Sequence, residues 1–294
     1  MCHLLYKQKA VLAENILKFM NEEDVMAGIE SSIVGVKQKM IYSEFLEREV
    51  IIDVYLPKQS HPGEEAELLL INDGQDLRKI NFAEILNSAL GTKTPKFLIC
   101  VGIHCNADRM NEYGTICRPD YKGRGAKAGL YCKFILDELL PFLKLAFGIR
   151  SIKEKSVAGF SLGGLSAIDL AWNYPNEFSK VGVFSGSLWW RRRGYEEEGY
   201  DGDKDRIMHL QVQKGSYKPG LKFFFECGRL DETADRNNNG IIDSIEDTTD
   251  LIEDLKGIGY TDKQIAYLEL EDGRHDMETW GRAFPTFLKW GWGE

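Results

Sequence analysis

The chain has 294 residues, of which 43% are hydrophobic and 28% charged, and it carries a formal net charge of −9 at pH 7. This length is enough to bury a large core without disulfides or a structural metal, and the acidic balance excludes a general binder of nucleic acids. The cysteines form no CxxC pair of the kind that binds zinc, so we interpret them as reduced thiols.

The first predicted elements are a helix and two strands. Apolar residues recur at helical spacing over residues 10–28, and we assign residues 1–30 to an N-terminal helical extension. Two β-like runs follow at 34–43 and 48–57, and the second alternates polar and apolar residues as a half-buried strand does. These two runs predict an antiparallel start to a sheet.

The sequence shows neither an export signal nor a membrane span. A signal peptide needs a basic start, an apolar stretch and a small-residue cleavage site, and the N-terminal residues lack this combination. No run of about 18 apolar residues occurs. We therefore expect a cytoplasmic protein without membrane partners.

From residue 68 onward, short apolar runs alternate with helix-like segments. The apolar runs span 68–72, 97–103, 156–159, 181–186, 222–226 and 266–271. The helix-like segments span 79–90, 128–147, 162–174, 247–257 and 278–290. Strands that are apolar throughout are buried on both faces, and their alternation with helices indicates right-handed βαβ crossovers. The sequence therefore predicts one α/β domain over residues 1–294, with a mostly parallel, doubly wound sheet and an antiparallel start.

Residues 187–220 interrupt this alternation with a long, charged and aromatic stretch. Long excursions of this kind often carry function, so one interpretation is a lid-like insertion that lines a substrate pocket, with Trp189 and Trp190 as an aromatic wall. The other interpretation is an exposed excursion with a few packed tryptophans. The residues alone favour neither.

The segment Gly159-Phe160-Ser161-Leu162-Gly163 lies between a predicted strand and a predicted helix. It fits the G-x-S-x-G pattern, in which a sharp strand-to-helix turn strains the backbone of the serine and small neighbours avoid clashes. The serine oxygen then projects above the carboxyl edge of the sheet, and the N–H of Leu162 points to where an oxyanion forms. The pattern in this position predicts that Ser161 is a catalytic nucleophile.

A serine nucleophile needs a base to take its proton. Among the histidines, His275 follows the last predicted strand and precedes the final helix, which is where α/β-hydrolases present their histidine, after the nucleophile and the acid. The acid is expected after the preceding strand, where Asp231 is the preferred candidate because a buried carboxylate there fixes the imidazole tautomer. Glu232 and Asp235 are rivals on the same loop.

A second oxyanion donor is expected on the loop after an early strand. That loop reads Asp73-Gly74-Gln75-Asp76, and its glycine allows the backbone to approach a substrate closely. The N–H of Gln75 is the candidate donor, and an ordinary turn is the alternative.

Together these motifs resemble the putative esterase family of α/β-hydrolases, and among its members the enterochelin-esterase-like branch. The motifs are Asp73-Gly74-Gln75, Arg109 with Glu112 and Tyr113, Gly159 to Gly164, Ser185-Gly186-Ser187, and His275-Asp276 with Trp280. The resemblance implies a triad of Ser161, Asp231 and His275, with backbone amides from Leu162 and Gln75. It also implies that Arg109 and its neighbours brace the substrate pocket, through an Arg109–Glu112 pair as one arrangement. Family members hydrolyse carboxylic esters through an acyl-enzyme.

Residues 235–246 match the 12-residue calcium loop of an EF-hand at every position. Oxygen-bearing side chains occupy positions 1, 3, 5, 9 and 12, glycine is at position 6, and the residue at position 7 offers its carbonyl. The predicted ligands are Asp235, Asn237, Asn239, Ile241, Asp243 and Glu246. No helix is predicted before the loop, so we interpret it as an EF-hand-like loop in which calcium is structural. The alternative is an Asn- and Gly-rich turn before the helix at 247–257.

These observations lead to a serine carboxylic ester hydrolase that acts on a small-molecule ester and needs no catalytic cofactor. Two alternatives stay open. The first is an acyltransferase that uses a sugar or another alcohol in place of water. The second is a calcium-responsive binding module on a hydrolase scaffold without catalysis, which the complete set of triad residues disfavours.

Overall fold

The computed structural model describes residues 10–18, 34–57, 65–90 and 97–293. The strands are β1 (Val34–Ser43), β2 (Arg48–Pro57), β3 (Glu65–Asn72), β4 (Leu98–Ile103), β5 (Ser151–Phe160), β6 (Lys180–Phe184), β7 (Lys222–Leu230) and β8 (Ile265–Arg274). The helices are α1 (10–18), α2 (Phe82–Leu90), α3 (Arg109–Glu112), α4 (Ala128–Lys133), α5 (Leu140–Ala146), α6 (Leu162–Asn173), α7 (Gly202–Asp205), α8 (Ile207–Gln213), α9 (Asp243–Gly257) and α10 (Met277–Trp292). A 3₁₀ helix (Gly74–Ile80) precedes α2, and a π-helical turn (Phe134–Leu139) joins α4 to α5.

The strands form one sheet in the order β1-β2-β4-β3-β5-β6-β7-β8. Strand β2 pairs antiparallel with β1 and with β4, and the other neighbouring pairs are parallel. This is the predicted α/β-hydrolase arrangement with its antiparallel start. Because β3 lies between β4 and β5, the carboxyl ends of β3 and β5 meet at one edge of the sheet, where open α/β sheets bind ligands.

Helices cover both faces of the sheet, as the apolar strands require. Helices α4, α5, α6, α8 and α9 pack on one face, and α2 and α10 pack on the other. Neighbouring residues of one strand therefore enter different cores: Val157 of β5 faces the first group of helices and Ala158 faces the second. Among the helices in the described ranges, none combines the length and the apolar character that crossing a bilayer requires.

The N-terminal helix packs on the edge of its own sheet. The side-chain amide of Asn15 donates to the carbonyl of Tyr42 and accepts from the N–H of Tyr42, both at 3.1 Å. These two bonds satisfy backbone groups of the edge strand β1 that would otherwise be free to pair with another strand. The predicted helix extends to residue 28, and its part from 19 to 28 lies outside the described residues.

The excursion at 187–220 is anchored in the core at several points. Leu188, Trp190 and Met208 are fully buried, and the N–H of Ile207 donates to the carbonyl of Trp190 at 2.8 Å. The excursion contains α7 and α8, two short helices that the sequence analysis did not predict. These helices have only four and seven residues, which is too short a window for a helical spacing of apolar residues to be recognised.

Candidate active site

Ser161 lies in the sharp turn between β5 and α6, with φ 53° and ψ −121°. A residue other than glycine holds such angles only where its surroundings enforce them. Here the N–H of Ser161 donates to the carbonyl of Phe184 at 2.8 Å, and a Cβ on Gly159 would overlap the carbonyl of Gly163. The two glycines thus allow β5 and α6 to approach closely. Leu162 begins α6, so its N–H has no carbonyl one turn earlier to bind.

Ser187 lies directly behind the predicted nucleophile. Its N–H donates to the carbonyl of Ser161 at 3.0 Å, and the two serine hydroxyls are 3.4 Å apart. The side chain of Ser187 is buried, so it helps to fix where the Ser161 hydroxyl lies. The Ser-Gly-Ser sequence after β6 marked this residue only as part of the family resemblance, and its contact with Ser161 was missed.

Asp231 and His275 lie on the loops that follow β7 and β8. His275 Nδ1 is 3.8 Å from Asp231 Oδ2, and the side chains of Asp231 and His275 are 1% and 41% exposed. This separation is within ion-pair range but longer than a hydrogen bond, as catalytic contacts often are before a substrate binds. The structure therefore brings together the predicted acid and the predicted base.

Two glycines allow these loops to meet. A Cβ on Gly228 would overlap the backbone of Gly273 and would lie 2.8 Å from Asp231 Oδ1. The pairing of β7 with β8 shifts register just after Gly228, which bends the end of β7. This local geometry directs the Asp231 carboxyl toward the neighbouring loop that carries His275.

The two rival acids point elsewhere. Glu232 Oε1 accepts the N–H of Ser244 at 2.7 Å, at the start of α9. Asp235 accepts backbone N–H groups within its own loop. Of the three carboxyl groups that the sequence left open, Asp231 is the one found beside His275, at 3.8 Å.

The predicted oxyanion loop packs against the N-terminus of α6. The Asn72 amide donates to the carbonyl of Gly163 at 2.8 Å and accepts from the Tyr131 hydroxyl at 2.7 Å. A Cβ on Gly74 would overlap the backbone of Gly102, so glycine is required there. The side chain of Gln75 faces Cys105: its Oε1 accepts the Cys105 N–H, and its Nε2 donates to Cys105 Sγ, both at 3.1 Å. The Gln75 side chain thus joins this loop to Cys105, and its backbone N–H remains the predicted second oxyanion donor.

Arg109 holds this loop through Asp73. Its Nε and Nη2 donate to the two carboxyl oxygens of Asp73 at 2.7 and 2.8 Å. The Arg109–Glu112 pair considered above does not form, because Glu112 instead accepts from Nε and Nη2 of Arg48 at 2.7 and 2.6 Å. Arg109 therefore holds the loop that carries the predicted oxyanion donor, and its charge is paired with that of Asp73.

The two tryptophans have different environments. Trp190 is fully buried, and a Cβ on Gly114 would lie 3.0 Å from its ring. Trp190 therefore lies within the core in this structure, because glycines at 114 and 125 leave a space that its indole fills. Trp189 keeps exposed surface, with the guanidinium of Arg124 at 5.1 Å from its ring centre.

The EF-hand-like loop brings its side chains together at the start of α9. The Asp235 carboxyl accepts the N–H groups of Asn239 and Gly240, at 3.1 and 2.9 Å. The amides of Asn237 and Asn239 both donate to Glu246 Oε1, at 2.6 and 2.8 Å. Three of the predicted ligands, Asn237, Asn239 and Glu246, are therefore joined by hydrogen bonds, and each carries oxygen, the atom that calcium prefers.

Arg236 supplies positive charge beside this loop. Its Nη2 lies 3.0 Å from Glu246 Oε2 and 2.6 Å from Asp247 Oδ1, while its backbone N–H donates to Asp243 Oδ1 at 2.8 Å. The loop offers the oxygen atoms that calcium binds, and in this structure Arg236 balances the charge of its carboxylates. Groups of three or more His, Cys, Asp or Glu residues that could hold a metal are not found among the described residues, and this loop relies on amide and carbonyl oxygens as well.

Several known proteins resemble this chain. The uncharacterised protein YbbA of Bacillus subtilis (strain 168) is 24% identical over 230 residues, which are 76% of this chain and 84% of the relative. The enterochelin esterase of Shigella flexneri superposes with a TM-score of 0.66 at 20% identity, over 90% of this chain and 59% of that one. The siderophore hydrolase EstB of Aspergillus nidulans superposes with a TM-score of 0.63 at 18% identity, over 90% of this chain and 97% of that one.

These structural likenesses confirm the fold. The chain spans about three fifths of the Shigella enzyme, so the remaining part of that enzyme has no counterpart in the alignment. The family model described as "Putative esterase" matches residues 43–290 of this chain. This range is most of the chain and contains every predicted triad residue. The chain belongs to the Putative esterase family and is a carboxylic ester hydrolase.

Proposed function

We propose that this esterase is a serine hydrolase with Ser161 as nucleophile, His275 as general base and acid, and Asp231 as the carboxylate that orients His275. The observation that carries the proposal is the strained turn at Ser161 on the same edge of the sheet as the buried Asp231, whose Oδ2 lies 3.8 Å from His275. Strain of this kind persists where it serves a function.

In the proposed reaction, Ser161 Oγ attacks the ester carbonyl while its proton passes to His275 Nε2. The carbonyl oxygen becomes an oxyanion, which the N–H groups of Leu162 and Gln75 stabilise. The C–O bond to the alcohol then breaks, and the alcohol leaves with the proton from His275. A water molecule repeats these steps on the acyl-enzyme, which releases the acid and restores Ser161.

We favour water as the acyl acceptor because the His275 side chain is 41% exposed. Solvent therefore reaches the base that must activate the acceptor. The acyl group is expected to rest near Trp189, which follows Ser187 by two residues and keeps exposed surface. Product analysis with an added alcohol distinguishes hydrolysis from acyl transfer, since transfer yields a new ester instead of the free acid.

Labelling with a fluorophosphonate tests the nucleophile directly. The probe reacts with an activated serine beside an oxyanion hole and does not require the natural substrate. We expect a single adduct on Ser161 by peptide mass spectrometry, lost in Ser161→Ala and strongly reduced in His275→Ala. Ser151→Ala, at the far end of β5, is the matched control and should label like the unmodified protein. Labelling of a serine other than Ser161 would contradict the assignment.

We also propose that residues 235–246 bind calcium as a structural ion. Asp235, Asn237, Asn239, Asp243 and Glu246 would supply side-chain oxygens, and Ile241 would supply its carbonyl. Bound calcium supplies positive charge that replaces the contacts of Arg236 with this loop. Since Asp235 follows Asp231 by four residues, the ion would restrain the segment that carries the triad acid.

The calcium proposal predicts a change in thermal stability. The melting temperature at fixed pH should rise by roughly 3 °C or more on replacing EGTA with excess calcium. The rise should disappear in Glu246→Gln, which keeps the side-chain shape but removes the charge that binds the ion. An equal shift in the variant, or no shift in the unmodified protein, would rule out calcium binding at this loop.

A further inference from the structure

A second buried carboxyl group lies behind the triad acid. Glu226 is on β7, five residues before Asp231, and its side chain is fully buried. Within the described residues, no donor forms a hydrogen bond with either carboxyl oxygen of Asp231, and the Ser185 hydroxyl is the side-chain donor that acts on the Glu226 carboxyl. Buried polar atoms are almost always paired, so two buried carboxyl groups with so few donors need an explanation.

A short chain of contacts connects Glu226 with the catalytic histidine. The N–H of Ser185 donates to the Glu226 carbonyl at 2.8 Å, and the Ser185 hydroxyl lies beside the Glu226 carboxyl. That hydroxyl accepts from Trp280 Nε1 at 2.9 Å. The Trp280 ring in turn packs edge-on against His275, with ring centres 5.1 Å apart. Glu226 therefore belongs to the polar layer directly beneath the triad.

The charged groups around Glu226 do not balance a second negative charge. Asp231 faces it from the loop after β7, and Arg282 acts on it from α10, but Arg282 is exposed and already paired with another acid. Cys227 and Tyr267 are the other titratable groups that interact with it electrostatically, and burial raises the pKa of each, so both are neutral. Burial raises the pKa of Glu226 itself to about 8, and the nearby charge of Asp231 adds to this rise.

We propose that Glu226 is a positioning residue of the triad, a carboxylic acid protonated at neutral pH that leaves Asp231 as the one charged carboxyl facing His275. Two close buried carboxylates do not both ionise, because the second charge has neither solvent nor a cation to stabilise it. This inference rests on the proposed role of the triad. When Glu226 loses its proton to solvent in alkaline solution, the second charge holds a proton on His275, which then fails as a base.

The pH dependence of kcat/KM tests this role. The unmodified enzyme should lose activity above about pH 8, where Glu226 ionises. In Glu226→Gln the ratio of kcat/KM at about pH 9 to that near pH 7 should rise by about fivefold or more, because the amide cannot ionise. Glu226→Asp, which restores a carboxyl, should restore the alkaline loss. The use of a ratio within each variant removes the effect of any change in the folded fraction.

Asp169→Asn is the matched control. Asp169 is also buried, and burial raises its pKa to about 6, but it bonds with Gln211 and Ile116 away from the triad. The ratio in this variant should equal that of the unmodified enzyme. An unchanged ratio in Glu226→Gln, or an equal rise in Asp169→Asn, would overturn the proposal.

A titration by NMR gives an answer that does not depend on catalysis. With ¹³C-labelled glutamate, the carboxyl signal that disappears in Glu226→Gln should titrate near pH 8. The imidazole signals of His275 should change over the same pH range in the unmodified protein and not in Glu226→Gln. A Glu226 signal that titrates in the ordinary range for glutamate, or His275 signals that behave alike in both proteins over that range, would contradict the proposal. If Ser161 took no fluorophosphonate while Glu226 titrated near pH 8, the proposed hydrolase mechanism would fail and the carboxyl assignment would stand.

Discussion

The proposed nucleophile and the proposed acid–base pair are positioned by different physical means. Ser161 is fixed by backbone contacts: glycines on both sides of it pack strand against helix, and its N–H is bonded to the next strand. Asp231 and His275 meet instead across two loops, at 3.8 Å, with the histidine half-exposed. Steric contacts do not depend on pH, whereas an ion pair does. The first region therefore confers geometric precision, and the second makes the site responsive to its surroundings.

The largest effect should follow removal of the base. His275→Ala should lower kcat/KM by about 10⁴-fold, because the triad acts as a unit and loss of one member abolishes proton transfer. The melting temperature should change little, since much of the His275 ring is exposed. Steady-state kinetics with an activated ester and a thermal melt measure the two quantities. A large drop in melting temperature would show that His275 stabilises the fold. The two regions would then not differ in their contribution to stability.

A substitution that disturbs the turn at Ser161 should mainly lower the stability of the folded protein. Gly159→Ala places a Cβ that overlaps the carbonyl of Gly163, and relief of this clash requires separation of β5 from α6. We expect a loss of roughly 3 kcal/mol or more in the free energy of unfolding, measured by urea denaturation. Gly257→Ala is the control, because nothing lies near its added methyl group. Equal stability of the two variants would show that close packing does not define the turn.

Stability should also depend on pH through the buried Glu226. The group has a folded-state pKa of about 8 against an ordinary value of 4.5, so the folded protein keeps a proton that the unfolded chain has released. Its contribution to stability is therefore fully present below about pH 4.5 and is lost as the pH rises to about 8. Glu226→Gln should remove this loss, worth a few kcal/mol, as urea denaturation at a series of pH values would show. Parallel pH profiles for the two proteins would contradict it.

The smallest effect should follow a substitution of Arg109, which supports the loop with the proposed oxyanion donor. Arg109→Lys keeps the charge but cannot donate from a planar fork to both oxygens of Asp73. We expect kcat to fall by about tenfold with little change in KM, because the loop positions a donor that acts mainly in the transition state. A change confined to KM would assign Arg109 to substrate binding, the role that the sequence suggested for it.

The sequence predicted those features that depend on local pattern. The two antiparallel strands, the alternating buried strands and the glycine-flanked serine follow from side-chain periodicity and from backbone sterics over a few residues. Partners that are distant in the sequence were not predictable in this way. Arg109 binds Asp73, 36 residues away, where a pair with the nearer Glu112 was considered.

The burial of particular polar and aromatic side chains also could not be predicted from the sequence pattern. Trp190 is in a charged stretch and yet fills a space left by two glycines from another loop. Glu226 sits at the end of an apolar strand, and its burial depends on how α10 covers the sheet edge. Both outcomes are set by the way in which separate elements pack, which no single segment specifies.

The most direct test of the proposed mechanism is to trap the acyl-enzyme. The protein would be mixed with an activated ester, quenched in acid within the first turnover, and digested for mass spectrometry. We predict that the acyl mass is found on the peptide containing Ser161, and that it persists in a variant such as Asp231→Asn, where deacylation is slow. An acyl group on another residue, or product formation without any acylated peptide, would contradict the proposed nucleophile.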